Sequence, residues 1–177
     1  KKSNIQLKKI ESLENQTTPI KNKTLVKKPI IICGQTDLKK NGNAILGIAQ
    51  KIGSPILSDI SSNIKGGNQV ISFYNHFIED MRPDLILRFG KKPLSKKLLS
   101  LLEKRKEITH LIRLREKFND DANPIEISID SFSQNIDDYI DYEKDLNWLD
   151  LFIKQDTLAK QKIASLSKDI KVNVRHK

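Results

Sequence analysis

A single cysteine, Cys33, means that no internal disulfide can form, and a chain of this kind suits a reducing compartment, here expected to be the cytoplasm. No stretch approaches the roughly 18 to 20 uncharged apolar residues that a membrane-spanning helix requires. The opening Lys1-Lys2-Ser3 and its neighbours lack the apolar core of a secretory signal. Aromatic residues make up only 6% of the chain, and none lies in residues 1–28, where eight basic and two acidic side chains give a local charge of +6. An arm that binds nucleic acid needs aromatic rings to stack on bases as well as charge. These lysines therefore read as a solvated linker or arm from a preceding domain, and neither a nucleic acid nor a membrane is expected as a partner. Methionine occurs once, at Met81 and not at position 1, so the sequence reads as a piece excised from a longer protein.

Most chemical signatures are missing too. A dinucleotide site needs closely spaced glycines after the first strand, but Gly34 is followed by Gln35-Thr36-Asp37 and the next glycine is Gly42. Without those glycines, Asp59 reads as a loop or cap residue rather than a ribose ligand. No Gly-Lys-Ser/Thr occurs, which excludes a phosphate-binding P-loop. His76 and Glu79 are three apart, but two ligands do not make a metal site, and His110 lies far along the chain in a strand. Cys33, after Ile30-Ile31-Ile32, reads as a small buried hydrophobe rather than a nucleophile. Asp137, Asp138 and Asp141 read equally as a solvated acidic turn or as carboxylates paired for acid–base work or a cation.

Alternating strand and helix signals are present from Pro29 onward. Pro29–Cys33 is a β-branched run ended by Gly34. Ala44, Ile45, Ile48, Ala49 and Ile52 then recur at helical spacing up to Gly53. Pro55-Ile56-Leu57 reads as a second strand. Val70 to Ile78 is expected to form a helix, 85–89 a strand, and Leu94 to Leu102 a helix with Lys104, Arg105 and Lys106 in its last turn. His110 to Leu114 follows as a strand, and Ile125, Ile127 and Ile129 alternate like another. Strands separated by helices of this length imply right-handed crossovers and a parallel sheet covered on both faces. The expected fold class is therefore α/β, a Rossmann-like three-layer domain with a mostly parallel sheet. Residues 1–28 are assigned to the linker, 29–144 to the domain, and 145–177 to an exit helix and tail. Trp148 and the apolar face of that helix, over roughly 145–167, are expected to rest on a neighbouring domain.

One constellation survives: Arg88-Phe89-Gly90-Lys91-Lys92-Pro93-Leu94-Ser95-Lys96-Lys97. It joins the carboxyl end of a strand to a helix start, the place where open α/β sheets bind ligands. The N–H groups and dipole of a helix start favour an anion, so Lys96 and Lys97 in the first turn set like charge on like and call for a compensating anion. Two solvated side chains are the plain alternative.

The run Pro83-Asp84-Leu85-Ile86-Leu87-Arg88-Phe89-Gly90, followed by Pro93, Ser95 and Lys96, resembles the central domain of the SEPHCHC (2-succinyl-5-enolpyruvyl-6-hydroxy-3-cyclohexene-1-carboxylate) synthase family of menaquinone and phylloquinone biosynthesis. The likeness extends over roughly 25–167, taking in Pro29 to Gly34, Pro55-Ile56-Leu57-Ser58-Asp59, Tyr74 to Phe77, and Trp148 to Leu166. It implies a transferase that depends on thiamine diphosphate and Mg²⁺ or Mn²⁺, decarboxylates 2-oxoglutarate and adds the product to isochorismate. It further implies flanking pyrimidine-binding and diphosphate-binding domains, a homo-oligomeric parent, and no cofactor or metal bound by this piece, which contains no Gly-Asp-Gly and should be inactive alone. No catalytic residue is assigned here. By motif position Lys96, with Lys97 and Ser95 beside it, falls where the family reaches substrate carboxylates; Lys97 is the weaker match, because some members carry arginine there. Two other classes remain open: a stand-alone nucleotide or acidic-metabolite binding module, and a purely structural assembly domain.

Overall fold

The computed structural model describes residues 25–35, 38–62, 64, 66–113, 123–126 and 129–174. Its frame is six parallel strands: β1 (Pro29–Cys33), β2 (Ile56–Ser58), β3 (Val70–Ile71), β4 (Leu85–Phe89), β5 (Thr109–Arg113) and β6 (Asn123–Glu126). They lie in the order β3-β2-β1-β4-β5-β6, with Ile31 opposite Leu87 and Ile32 opposite Arg88. Successive side chains of a strand point to opposite faces, so the Ile30-Ile31-Ile32 run supplies two cores at once. Ile31 and Cys33 join Leu85, Leu87 and Phe89 under α1 (Leu38–Ile52), while Ile30 and Ile32 join Ile86 on the other face under α2 (Lys96–Lys104). Two short helices, α3 (Ile129–Gln134) and α4 (Ile136–Tyr139), complete the first layer with Ile129, Phe132 and Ile136. The result is the expected Rossmann-like three-layer α/β arrangement. No helix among the described residues is long and apolar enough to cross a membrane.

Several local expectations are corrected. Residues 70–80 form no α-helix: Val70 and Ile71 pair with Ile56 and Leu57 as β3, and two 3₁₀ turns, Tyr74–His76 and Ile78–Asp80, follow. β-branched residues fit a pleated edge better than a helix, and the Asp156 carboxylate accepts the N–H groups of Ser72 and Phe73, fixing a turn where a helix would have to start. His76 and Glu79 thus sit in separate turns. Of the alternating isoleucines, Ile125 lies in β6, Ile127 falls outside the described residues, and Ile129 opens α3. α2 ends at Lys104, with Arg105 as its C-cap and Lys106 in the next 3₁₀ turn.

The last helix, α5 (Leu146–Val174), runs further than expected, and its start does not wait for a neighbouring domain. Phe152 is fully buried, Trp148 packs edge-on against it at 4.9 Å, and the Trp148 indole N–H donates to the Pro29 carbonyl at 2.9 Å. The 3₁₀ turns cover too little of the sheet face over β1 and β2, so α5 returns to close it, and Phe77 meets Phe152 at 5.7 Å. Beyond that point Leu158 and Leu166 are about half exposed (53% and 54%). Chain order also begins ahead of Pro29: Val26 is buried and exchanges backbone hydrogen bonds with Asp141 and Glu143, and Asp84 accepts the N–H groups of Lys27 and Lys28. The rest of the basic arm, residues 1–24, lies outside the described residues.

Candidate functional site

The strand order reverses between β1 and β4, where an open α/β sheet offers its crevice. Here the two loops leaving those strands meet. Gly34 N–H donates to the Phe89 carbonyl and Lys91 N–H to the Gln35 carbonyl, each at 3.0 Å. A Cβ on Gly34 would stand 1.9 Å from the Lys91 oxygen, and one on Gly90, whose φ is +75°, 2.5 Å from the Gln35 oxygen. The two loops thus approach so closely at these glycines that neither position has room for a side chain.

The open part of the edge lies to one side, above β2 and at the start of α2. Asp59, just after β2 and only 2% exposed, reaches across to the loop before α2. Its Oδ2 accepts the N–H groups of Leu94 (2.6 Å) and Ser95 (3.1 Å), and its Oδ1 accepts the N–H and hydroxyl of Ser61 (3.0 and 3.1 Å). Burial alone would raise its pKa, but the N–H groups of Ser61, Ser95 and Leu94 together with the Ser61 hydroxyl outweigh it and hold the carboxyl below its ordinary range. The anion that the helix start called for is therefore partly supplied from within.

Ser95 is the N-cap of α2: its hydroxyl accepts the Leu98 N–H (3.4 Å) and gives its one O–H donor to the Asn75 Oδ1 (2.8 Å). Tyr74 lies beside them. Burial, and then the Asp59 charge, push its phenol up, against a smaller opposing effect of the Ser95 hydroxyl. With Ser58, Ile64 and Ser72 these residues line a cleft of about 580 Å³.

The two lysines are sorted by their surroundings. Lys97 forms an ion pair with Glu79, whose carboxyl is held low by the hydrogen bond and charge of Lys97 and by the charge of Lys104. Lys96 is exposed, and neither its ammonium nor the backbone N–H groups of Lys96 and Lys97 meet an acceptor among the described residues. Arg88, two residues before Gly90, is 2% exposed within the sheet, so it belongs to the frame beneath the helix start rather than to its surface.

The other side chains considered from the sequence do not converge here. Cys33 is fully buried and burial pushes its thiol far up, as expected of a core residue. His110 lies on β5, partly buried, and burial lowers its pKa. Asp137 holds Lys51 at 2.7 Å and the Tyr142 hydroxyl at 3.0 Å, a surface tie between α1 and α4, which forms in place of the expected acidic turn. Among the described residues no three His, Cys, Asp or Glu side chains gather as metal ligands. Sequence reasoning missed the linking roles of Asp59, Asn75 and Glu79, which lie 36, 20 and 18 residues from their partners. The available signal was the acidic residue directly after a strand, which marks the sheet's carboxyl edge.

No family model matches the chain. Among curated proteins, 96 residues (49% of this chain) are 31% identical to 17% of the 2-succinyl-5-enolpyruvyl-6-hydroxy-3-cyclohexene-1-carboxylate synthase of Bacillus pumilus. The same-named synthase of Bacillus cytotoxicus is 31% identical over 103 residues, and that of Geobacillus kaustophilus is 28% identical over 129 residues, 67% of this chain and 22% of that protein. The chain spans about a fifth of the length of the curated relatives it matches. About half of it or more is thus similar to a region of these synthases.

Proposed function

We propose that this chain is the central domain of a SEPHCHC synthase, and that it places Lys96 to meet a carboxylate of isochorismate. The observation that carries the reading is the arrangement at the start of α2, where Lys96 stands exposed on a capped helix N-terminus beside the sheet's carboxyl edge while Lys97 is engaged by Glu79. A lysine there makes a charge-assisted hydrogen bond to an anion already favoured by the helix dipole. Similarity to one region of the synthases supports the assignment.

Thiamine diphosphate with Mg²⁺ or Mn²⁺ belongs in this reading to flanking pyrimidine-binding and diphosphate-binding domains of a homo-oligomeric, cytoplasmic enzyme. The described residues do not fit that group. No three candidate metal ligands gather, and both oxygens of Asp59 are taken by N–H and hydroxyl donors. The chain's own contribution is to bind and orient a substrate carboxylate and to hold the domains apart at a fixed distance. A nucleotide module is disfavoured by the missing glycine fingerprint after β1, where Gly34 is followed by Gln35-Thr36-Asp37.

The test is turnover of 2-oxoglutarate and isochorismate, with thiamine diphosphate and Mg²⁺ supplied. The complete polypeptide is expected to form SEPHCHC. This chain alone is expected to show neither turnover nor tight cofactor binding. Turnover by the chain alone, or none by the complete polypeptide, contradicts the proposal.

A further inference from the structure

We infer that Asp59 is a positioning residue for Lys96, an inference that rests on the reading of the α2 start given above. Asp59 and Lys96 belong to different crossovers of the sheet. The carboxylate closes the distance by taking the N–H groups of Leu94 and Ser95, the two residues immediately before Lys96, while its other oxygen is anchored to the Ser61 turn. All four hydrogen bonds end on the carboxylate of a residue that is 2% exposed, and bonds to an ionised acceptor are the strong ones. The backbone entering α2 is thereby pinned to the end of β2 at the residues that set where Lys96 leaves the helix. Ser95 adds a second tether through Asn75 and Glu79 a third through Lys97; both join side chains, whereas Asp59 holds the peptide groups of Leu94 and Ser95.

Saturation also fixes what Asp59 does not do. With both oxygens occupied it has little capacity left for a metal or for accepting a substrate proton. Its negative charge lies against the Leu94 and Ser95 N–H groups and supplies part of the compensation that an external anion would otherwise give. That leaves the more distal N–H groups of Lys96 and Lys97, with the Lys96 ammonium, for a ligand. An amide in place of the carboxylate keeps one accepting oxygen and turns its NH₂ group toward the donors of the other pair, so the bridge between the Ser61 turn and the Leu94–Ser95 N–H groups is lost at one end.

The experiment is a double-mutant cycle in the complete polypeptide with Asp59→Asn, Lys96→Ala and the pair, measuring KM for isochorismate and the rate of 2-oxoglutarate decarboxylation, with a thermal melt of each variant. Asp59→Asn is expected to raise KM for isochorismate on the order of tenfold, since small misplacements of a binding group are costly, and to leave decarboxylation nearly unchanged. In the Lys96→Ala background the same substitution should add little. Ser61→Ala removes one bond to Oδ1 and should shift KM in the same direction by less; it carries the test if Asp59→Asn does not fold. Independent, multiplicative effects of Asp59→Asn and Lys96→Ala would overturn the positioning role, as would an unchanged KM in Asp59→Asn when Lys96→Ala is impaired. A silent Lys96→Ala would instead remove the underlying reading of the site, and the positioning role with it.

Discussion

Replacing Phe152 with alanine tests whether the start of α5 belongs to this domain's own core. The ring is fully buried, lies edge-on to Trp148 at 4.9 Å and to Phe77 at 5.7 Å, and sits among Ile30, Ile32 and Leu98 on the α2 side of the sheet. Truncating such a ring costs about 3 to 5 kcal/mol, from lost transfer energy plus the cavity left between helix and sheet. Collapse is restricted there, because the Trp148 indole N–H is tied to the Pro29 carbonyl and Asp156 to the Ser72–Phe73 turn. For a chain of this size each kcal/mol moves Tm by roughly 2 to 4 °C, so Phe152→Ala should lower Tm by about 6 to 20 °C. Leu166→Ala, on the exposed continuation of the same helix, should stay within about 0.5 kcal/mol of wild type. Thermal melts followed by circular dichroism decide it. Equal, small shifts for both variants would refute the placement of α5 in the core.

Gly34→Ala should be strongly destabilising, because its Cβ would stand 1.9 Å from a backbone oxygen that cannot move without opening the β1–β4 loops; a Tm within 2 °C of wild type would contradict the close approach of those loops. Asp59 has a folded-state pKa below its ordinary 3.8, so its stabilising contribution is fully present above that value and is lost as pH falls below it toward the folded pKa. The stability gap between wild type and Asp59→Asn should therefore be constant from pH 5 to 7 and shrink as the solution is acidified below about pH 4. Urea titrations at each pH measure this, and a gap that widens in acid would reverse the sign of the argument.

Much of the frame was legible in the sequence because parallel strands buried on both faces read as unbroken apolar runs, as Ile30-Ile31-Ile32 and Leu85-Ile86-Leu87 do. Residues 70–80 misled because a β-branched pair followed by aromatics has nearly helical spacing, and the deciding contact comes from Asp156, over eighty residues away. Trp148 misled in the opposite sense. Its apolar stripe was visible, but whether that stripe meets its own sheet or another surface depends on how much the Tyr74–Asp80 segment covers, which composition does not reveal. At the site, the helix start and its two lysines were legible from Gly90-Lys91-Lys92-Pro93-Leu94-Ser95-Lys96-Lys97. That the sequence pairs Lys97 with Glu79 and settles Asp59 under Leu94 and Ser95 became visible only once the chain was folded.

The most direct test of the proposed role is steady-state kinetics of Lys96→Ala in the complete polypeptide, with isochorismate and 2-oxoglutarate varied in turn. A charge-assisted hydrogen bond to a carboxylate is worth about 1.5 to 3 kcal/mol, so kcat/KM for isochorismate should fall roughly tenfold to a hundredfold while decarboxylation of 2-oxoglutarate is affected less. Lys97→Ala should cost less, because Glu79 already holds that side chain. Unchanged isochorismate kinetics in Lys96→Ala would contradict the substrate contact and leave the domain a spacer.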